Sequence, residues 1–173
     1  VYEKLLKRNP ENADTQLSFC EFLISEKNYD ELFSYLNVVI LNSNVDPQDK
    51  IALLAGIIDL TDLNLEQQNR LILSLMLMEA QYKENEIVPM LRPEFLIKQG
   101  KLIDASSRLE ELIKVAPDNY YAWEKLLLVY LQLGDFVNLA SRGEECALLF
   151  NRSFLAKILF ATGATEIKKF PVA

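Results

Sequence analysis

The stretch "YYAWEKLLLVYLQLGD", residues 120–135, places Ala122, Trp123, Leu126, Leu127, Tyr130 and Leu133 at steps of three and four, the spacing of one helical face. Leu128, Val129 and Leu131 fill the opposite side, so this helix is apolar nearly all round and must be covered on more than one flank. Asp118 or Asn119 can accept its first free backbone N–H groups, and Gly134 can adopt the left-handed backbone that ends it. A second start signal, Asp46-Pro47-Gln48-Asp49, combines a capping carboxylate, a proline in the first turn and an acid facing the helix dipole. Met76, Met78, Phe19, Phe33 and Phe95 also sit at helical spacing and read as core packing.

The same punctuation returns at a fixed interval. Gly100 and Gly134 are 34 residues apart, and each is followed two residues later by an apolar side chain, Leu102 and Phe136. Leu109 then falls on Gly143 and Leu112 on Cys146. A further step carries Phe136 to Phe170 and Leu139 to Ala173, where "EIKKFPVA" reads as a turn followed by a new helix. Backwards along the chain, Pro10 takes the place of Pro117 and Tyr29 that of Phe136. Units start near Ala13, Pro47, Glu86, Tyr120 and Phe154; only the second spacing departs from 34, at 39, which lengthens the turn "DLTDLNLEQ" or the helix after it. This interval belongs to helix-turn-helix arrays rather than to propellers or leucine-rich arrays. Pro89 and Pro93 fall inside the expected first helix of the third unit, and predict either a kink or a helix that begins only near Arg92.

Trp123, Leu126, Tyr130, Gly134 and Phe136, with Pro117 from the preceding unit, echo the tetratricopeptide pattern of Trp, Leu-Gly, Tyr, Gly-x-Tyr and Pro, and the chain resembles that family. The match is best over residues 86–151 and poorest over 47–85; Leu127 and Leu139 stand where the family has small residues. The resemblance implies an all-α fold, a right-handed α-α superhelix of four full helical hairpins with partial repeats at both ends, forming a single domain over residues 1–173. Both ends fall inside a repeat, which predicts a piece of a longer array, or pairing with a second copy through the exposed repeat ends.

In such arrays the first helix of each unit lines a concave groove. Carried over by position, its wall is Leu17 and Glu21, with Asp14, Ser18, Ile24 and Ser25, followed by Ile51 with Gln48, Ala55 and Asp59. The later units add Met90, Glu94 and Lys98 with Ile97, then Tyr121, Glu124, Lys125 and Leu128 with Gln132. Lys98 and Lys125 alone do not reproduce the paired lysines and asparagines with which some family members clamp a terminal carboxylate. A mostly apolar wall with acids implies a protein or peptide partner with an apolar segment carrying basic residues. The alternative is a non-catalytic regulatory or assembly arm of a larger enzyme or complex, its groove filled by the protein itself.

Composition narrows the chemistry. The 173 residues hold no histidine, which removes the usual general base, proton shuttle and metal ligand; no catalytic residue, metal site or cofactor is expected, and the chain reads as non-enzymatic. Cys20 and Cys146 lack neighbouring ligands and read as small buried hydrophobes. "DLTDLNLEQQN" fails as a calcium loop, because Gln67 and Leu73 stand where a glycine and a closing acid are required. The Glu110-Glu111 and Glu144-Glu145 pairs are splayed on a helix and read as solvated faces. No glycine-rich phosphate loop exists, and Asn151-Arg152-Ser153 is a weak glycosylation pattern. The longest apolar run, "LILSLMLM", is too short for a membrane span. All of the net charge of −7 lies in residues 1–85, with 7 Lys and Arg against 14 Asp and Glu, so nucleic acid is not the expected partner.

If Trp123 is the core residue this reading makes it, Trp123→Ala lowers unfolding stability by about 3–5 kcal/mol in a denaturant titration. A midpoint that hardly moves would place the indole at the surface instead.

Overall fold

A computed structural model describes residues 1–169, with Glu3 and Lys169 described by backbone only, and it is all-α. The helices are α1 (Tyr2–Arg8), α2 (Ala13–Ser25), α3 (Tyr29–Leu41), α4 (Pro47–Ile58), α5 (Leu65–Gln81), α6 (Val88–Lys98), α7 (Leu102–Val115), α8 (Tyr120–Leu133), α9 (Phe136–Leu149) and α10 (Phe154–Lys169). Successive helices pack as pairs at α2/α3 in the first half of the chain and at α8/α9 in the second. The chain divides into two compact units, Val1–Arg92 and Pro93–Ala173.

Local chemistry explains the boundaries. Asn12, Asp46, Asn119 and Asp135 each accept a hydrogen bond from a backbone N–H in the first turn of the helix that follows. Asn64 and Gln67 bond each other's backbone in a reciprocal capping box at the start of α5. Gly100 and Gly134 end α6 and α8 in the left-handed conformation, both at φ 68°. Lys27 holds the corresponding place after α2 at φ 55°, a conformation that costs a side chain about 1–2 kcal/mol. The extra residues of the second pair are shared between the turn 59–64 and α5, which is 17 residues long against 13 in α3.

Two expectations need correction. Of the two alternatives for α6, a kink or a late start near Arg92, the late start is overturned: the helix begins at Val88. Pro89 sits in the first turn, where a missing N–H removes no bond, and the Asn85 side chain accepts from the Ile87 and Val88 N–H groups; only Pro93 interrupts the ladder. α10 runs through Lys169, so Glu166-Ile167-Lys168-Lys169 is helix and not a turn, while Phe170 and Ala173 lie outside the described residues.

In the first unit α2 packs on α1, α3 and α4, and α3 packs on α5. Cys20, Leu32, Leu36, Val39, Leu54, Ile57, Leu71 and Met78 are fully enclosed; Met76, expected in the core, is exposed. In the second unit α8 packs on α7, α9 and α10. Burial pushes the Cys20 thiol up to about 12, with the Glu21 charge adding to it, and the Cys146 thiol up to about 11, helped by Glu124 and Glu145. Both cysteines are free and buried, as a small hydrophobe would be.

One contact recurs at the fourth residue of a first helix. Trp123, 1% exposed, donates its indole N–H to the Pro117 carbonyl at 2.9 Å. Gln16, equally buried, donates its amide to the Pro10 carbonyl at 2.8 Å, again six residues back. Lys50, also 1% exposed, donates Nζ to the Ile40 carbonyl at 2.7 Å and to the Tyr82 hydroxyl at 2.8 Å, with the Tyr82 ring centroid 5.3 Å away. Each satisfies a carbonyl at the end of the preceding helix or just beyond it.

Charged groups are similarly engaged. Glu110, expected on a solvated face, is half-buried: it receives both arms of Arg142 at 2.8 Å and the Tyr130 hydroxyl at 2.9 Å, joining α7, α8 and α9. Desolvation, then the Glu110 bond, raises the Tyr130 phenol well above its ordinary value.

α9 and α10 meet backbone to backbone. A Cβ added at Gly163 would lie 2.6 Å from the Ala140 nitrogen, and one at Gly143 would lie 2.8 Å from the Phe160 Cα. Gly163→Ala therefore forces the two helices apart and should cost about 1–3 kcal/mol in thermal or denaturant unfolding. Unchanged stability would mean that this crossing is looser than described.

Candidate binding faces

Because the stripe facing the core is used up by packing, the face of each first helix that remains is decided by its register. In the first unit that face forms a hollow of about 270 Å³ between α2 and α4, lined by Leu17, Glu21 and Ile24 from α2 and by Asp49, Ala52, Leu53 and Gly56 from α4. Leu17 and Glu21 are thus brought to a common surface as expected from the sequence. Ile51 is not: it is a core residue, 8% exposed, among the buried positions Lys50, Ile51, Leu53, Leu54, Ile57 and Ile58, of which Leu53 borders the hollow and Ile51 does not. One residue of helix is about 100° of rotation, so choosing Ile51 and Ala55 instead of Asp49, Ala52 and Gly56 turns the wrong side outward. Asp49, Ala52 and Gly56 could have been found as the small or polar positions spaced three and four apart opposite the stripe facing the core.

Met90, in the first turn of α6, is also buried and is not available to a partner. Its neighbours on the other side of the unit boundary behave differently. Glu94 on α6 accepts from the Tyr121 hydroxyl at 2.6 Å and pairs with Lys125 Nζ at 2.9 Å, both from α8. The ammonium also lies 5.1 Å from the Tyr121 ring centroid. Three predicted residues therefore converge, but on each other. Burial opposes the charge on Lys125, yet the Glu94 and Tyr121 contacts outweigh it and hold its pKa above the ordinary lysine value. Desolvation and the Glu94 bond raise the Tyr121 phenol. Lys98 is exposed and Leu128 half-buried.

Glu124 turns toward a second hollow, of about 600 Å³, with Tyr120 of α8, Leu149 at the end of α9, the turn Phe150–Ser153, and Phe154 and Leu155 at the start of α10. Tyr120 shapes it: its ring meets Phe150 edge-on at 5.1 Å and its hydroxyl bonds Ser153 Oγ at 2.7 Å. Ser153 Oγ also accepts from the Ala156 N–H, so the tyrosine and the start of α10 are fixed by one oxygen. Phe154 is 76% exposed at this hollow. Apart from Glu124 none of these residues was anticipated, since the hollow is made by a turn that sequence periodicity treats as a connection. Among the described residues no group of three His, Cys, Asp or Glu gathers that could hold a metal ion, and no helix is long and apolar enough to cross a membrane.

The class defined by these elements is a repeat of paired helices. No family model matches the chain, and no curated protein matches it. Among solved structures, a crystal structure of MamA protein is similar at 16% identity and a TM-score of 0.49, covering 99% of this chain and 84% of that one. A second crystal structure of MamA, also at 16% and 0.49, covers 97% of this chain and 85% of that one.

The Lys125 cluster has a defined pH dependence. A pKa raised on folding stabilises the folded state fully below the unfolded value, and that stabilisation is lost as pH rises through the folded value. The stability gap between the parent chain and Lys125→Met should stay constant up to the ordinary lysine value of 10.5 and narrow above it. A gap that instead widens above that value would show that Glu94 and Tyr121 do not hold the ammonium.

Proposed function

We propose that this chain is a tetratricopeptide-type interaction module with no catalysis of its own, and that faces left open on its first helices hold an apolar segment of a partner protein. The observation that carries this reading is the hollow beside α8 and α10. Its volume of about 600 Å³ is in the range of ligand sites, its lining is mainly aromatic and aliphatic, and Phe154 stands open to solvent there. The absence of histidine from the sequence is consistent with recognition rather than acid-base chemistry. Glu124, Asn151 and Arg152 supply polar groups to orient what binds, and the edge-on Tyr120 and Phe150 rings give it a fixed aromatic wall.

Selection of a random peptide library displayed on phage tests the proposal. The parent chain should enrich peptides with clustered aliphatic or aromatic residues, and Phe154→Ser should weaken the selected peptides by roughly tenfold or more, as loss of an interface anchor does. Phe154 is exposed, so this substitution leaves the core intact. Enrichment of nothing above background would refute the reading, and peptides indifferent to Phe154→Ser would refute this hollow as the place.

A further inference from the structure

The second residue of α3, α5, α7 and α9 is exposed in every case, and it stands at the positive end of the helix dipole, where an acid is favoured. The first unit follows that rule. Asp30 of α3 accepts from the Gln67 amide at 2.9 Å, and Glu66 of α5 pairs with Arg70 at 2.7 Å. The second unit carries β-branched aliphatic residues there instead, Ile103 in α7 and Val137 in α9, 70% and 53% exposed. The dipole does not favour them and the core does not cover them.

Ile103 stands at the rim of a hollow. The turn residues Gly100 and Lys101, the start of α7 (Leu102, Ile103 and Asp104) and Leu133 at the end of α8 enclose about 390 Å³. Leu133 is itself 37% exposed. This surface lies where first helices turn into second ones, and it includes none of the residues that the sequence assigns to a concave groove. Nor does it belong to the first or the last helix. Two charges border it, Lys101 and Asp104, and among the described residues neither pairs with an opposite charge of this chain. Residues 86–173 hold 11 Lys and Arg against 11 Asp and Glu, so this part of the chain meets a copy of itself without net repulsion, which residues 1–85 would not.

We propose that this edge is a pairing surface for a second copy of the chain, in which Ile103 of each copy enters the hollow of the other and Lys101 of each meets Asp104 of the other. The features of the patch select that occupant. It holds one protruding aliphatic side chain beside one hollow, and one cation beside one anion. A two-fold contact brings residue i of one copy onto residue j of the other and j onto i, so a surface that carries each feature together with its complement is matched by itself. A partner of single charge sign would instead set one of the two charges against its like. The pairing is independent of the aromatic hollow at Phe154 and of any peptide held there.

Sedimentation velocity on the full chain reads the pairing directly. The parent chain should pass from monomer to dimer between about 1 and about 300 μM, the range of a small and transient interface. Ile103→Asp gives α7 the residue that α3 has at this position, so the helix start is kept, and it should raise the dimer dissociation constant by roughly tenfold or more. Lys101→Glu and Asp104→Lys should each be monomeric alone, because each sets like charges against one another across the two-fold contact. A one-to-one mixture of those two chains restores both attractive contacts and should sediment as a heterodimer. None of the three positions is buried, so every variant should keep the helical circular dichroism of the parent. A parent chain that stays monomeric at the top of this concentration range, a dimer indifferent to Ile103→Asp, or a mixture no more associated than its components overturns the assignment. A dimer lost in Phe154→Ser but kept in Ile103→Asp overturns it as well, in favour of pairing through α10.

Discussion

The first helix of a pair must be seated on the end of the helix before it, and that end presents carbonyl groups that no helical N–H can reach. Burying them unpaired is costly, so a donor must arrive from the incoming helix. Trp123 in the second unit and Gln16 and Lys50 in the first supply it from the same position, by an indole, an amide and an ammonium. Lys50 explains how a lysine comes to be 1% exposed with no carboxylate among its partners. Its charge sits at the carboxyl end of α3, where the helix dipole favours a cation, and the Tyr82 ring and hydroxyl complete its surroundings. Seating, capping and core formation are thus one event at each of these junctions.

A second set of contacts ties successive turns within each unit. Tyr29 donates to Asp62 at 2.8 Å, and Lys27 pairs with the same carboxylate at 2.7 Å; these bonds hold Asp62 below its ordinary value. In the second unit Tyr120 and Ser153 make the equivalent link. The exposed ion pairs among these contribute little to stability, but they limit how the turns can move. Glu110 with Arg142 and Tyr130, and Glu94 with Lys125 and Tyr121, do the same between helices.

What is left after these demands are met is the material for binding. In the first unit it is an acidic, aliphatic hollow with a glycine in its wall, and in the second an aromatic hollow built around a turn. The two differ in size and charge, so they suit different side chains rather than repeats of one ligand motif. Several residues expected to face a ligand instead neutralise each other, and this lowers the polarity of the surface around Tyr121 without removing side chains from it.

Helix identity, the helix starts at Ala13, Pro47, Tyr120 and Phe154, with Val88 two residues from the expected Glu86, and the glycine stops at Gly100 and Gly134 were legible in the residues, because caps, glycine and apolar spacing act over a few positions. The placement of Trp123 in the core was legible for the same reason. Tertiary structure alone decided which side of α4 stays open, since Ile51 and Ala52 differ by one step of rotation and only the neighbouring helices choose between them. It also decided that Glu110 is enclosed, that Gln16 and Lys50 share the task of a tryptophan they do not resemble, and that Gly143 and Gly163 mark a close crossing while Gly56 marks an open space. Local sequence sets dihedral angles and ends, whereas burial and pairing depend on groups brought together from different helices.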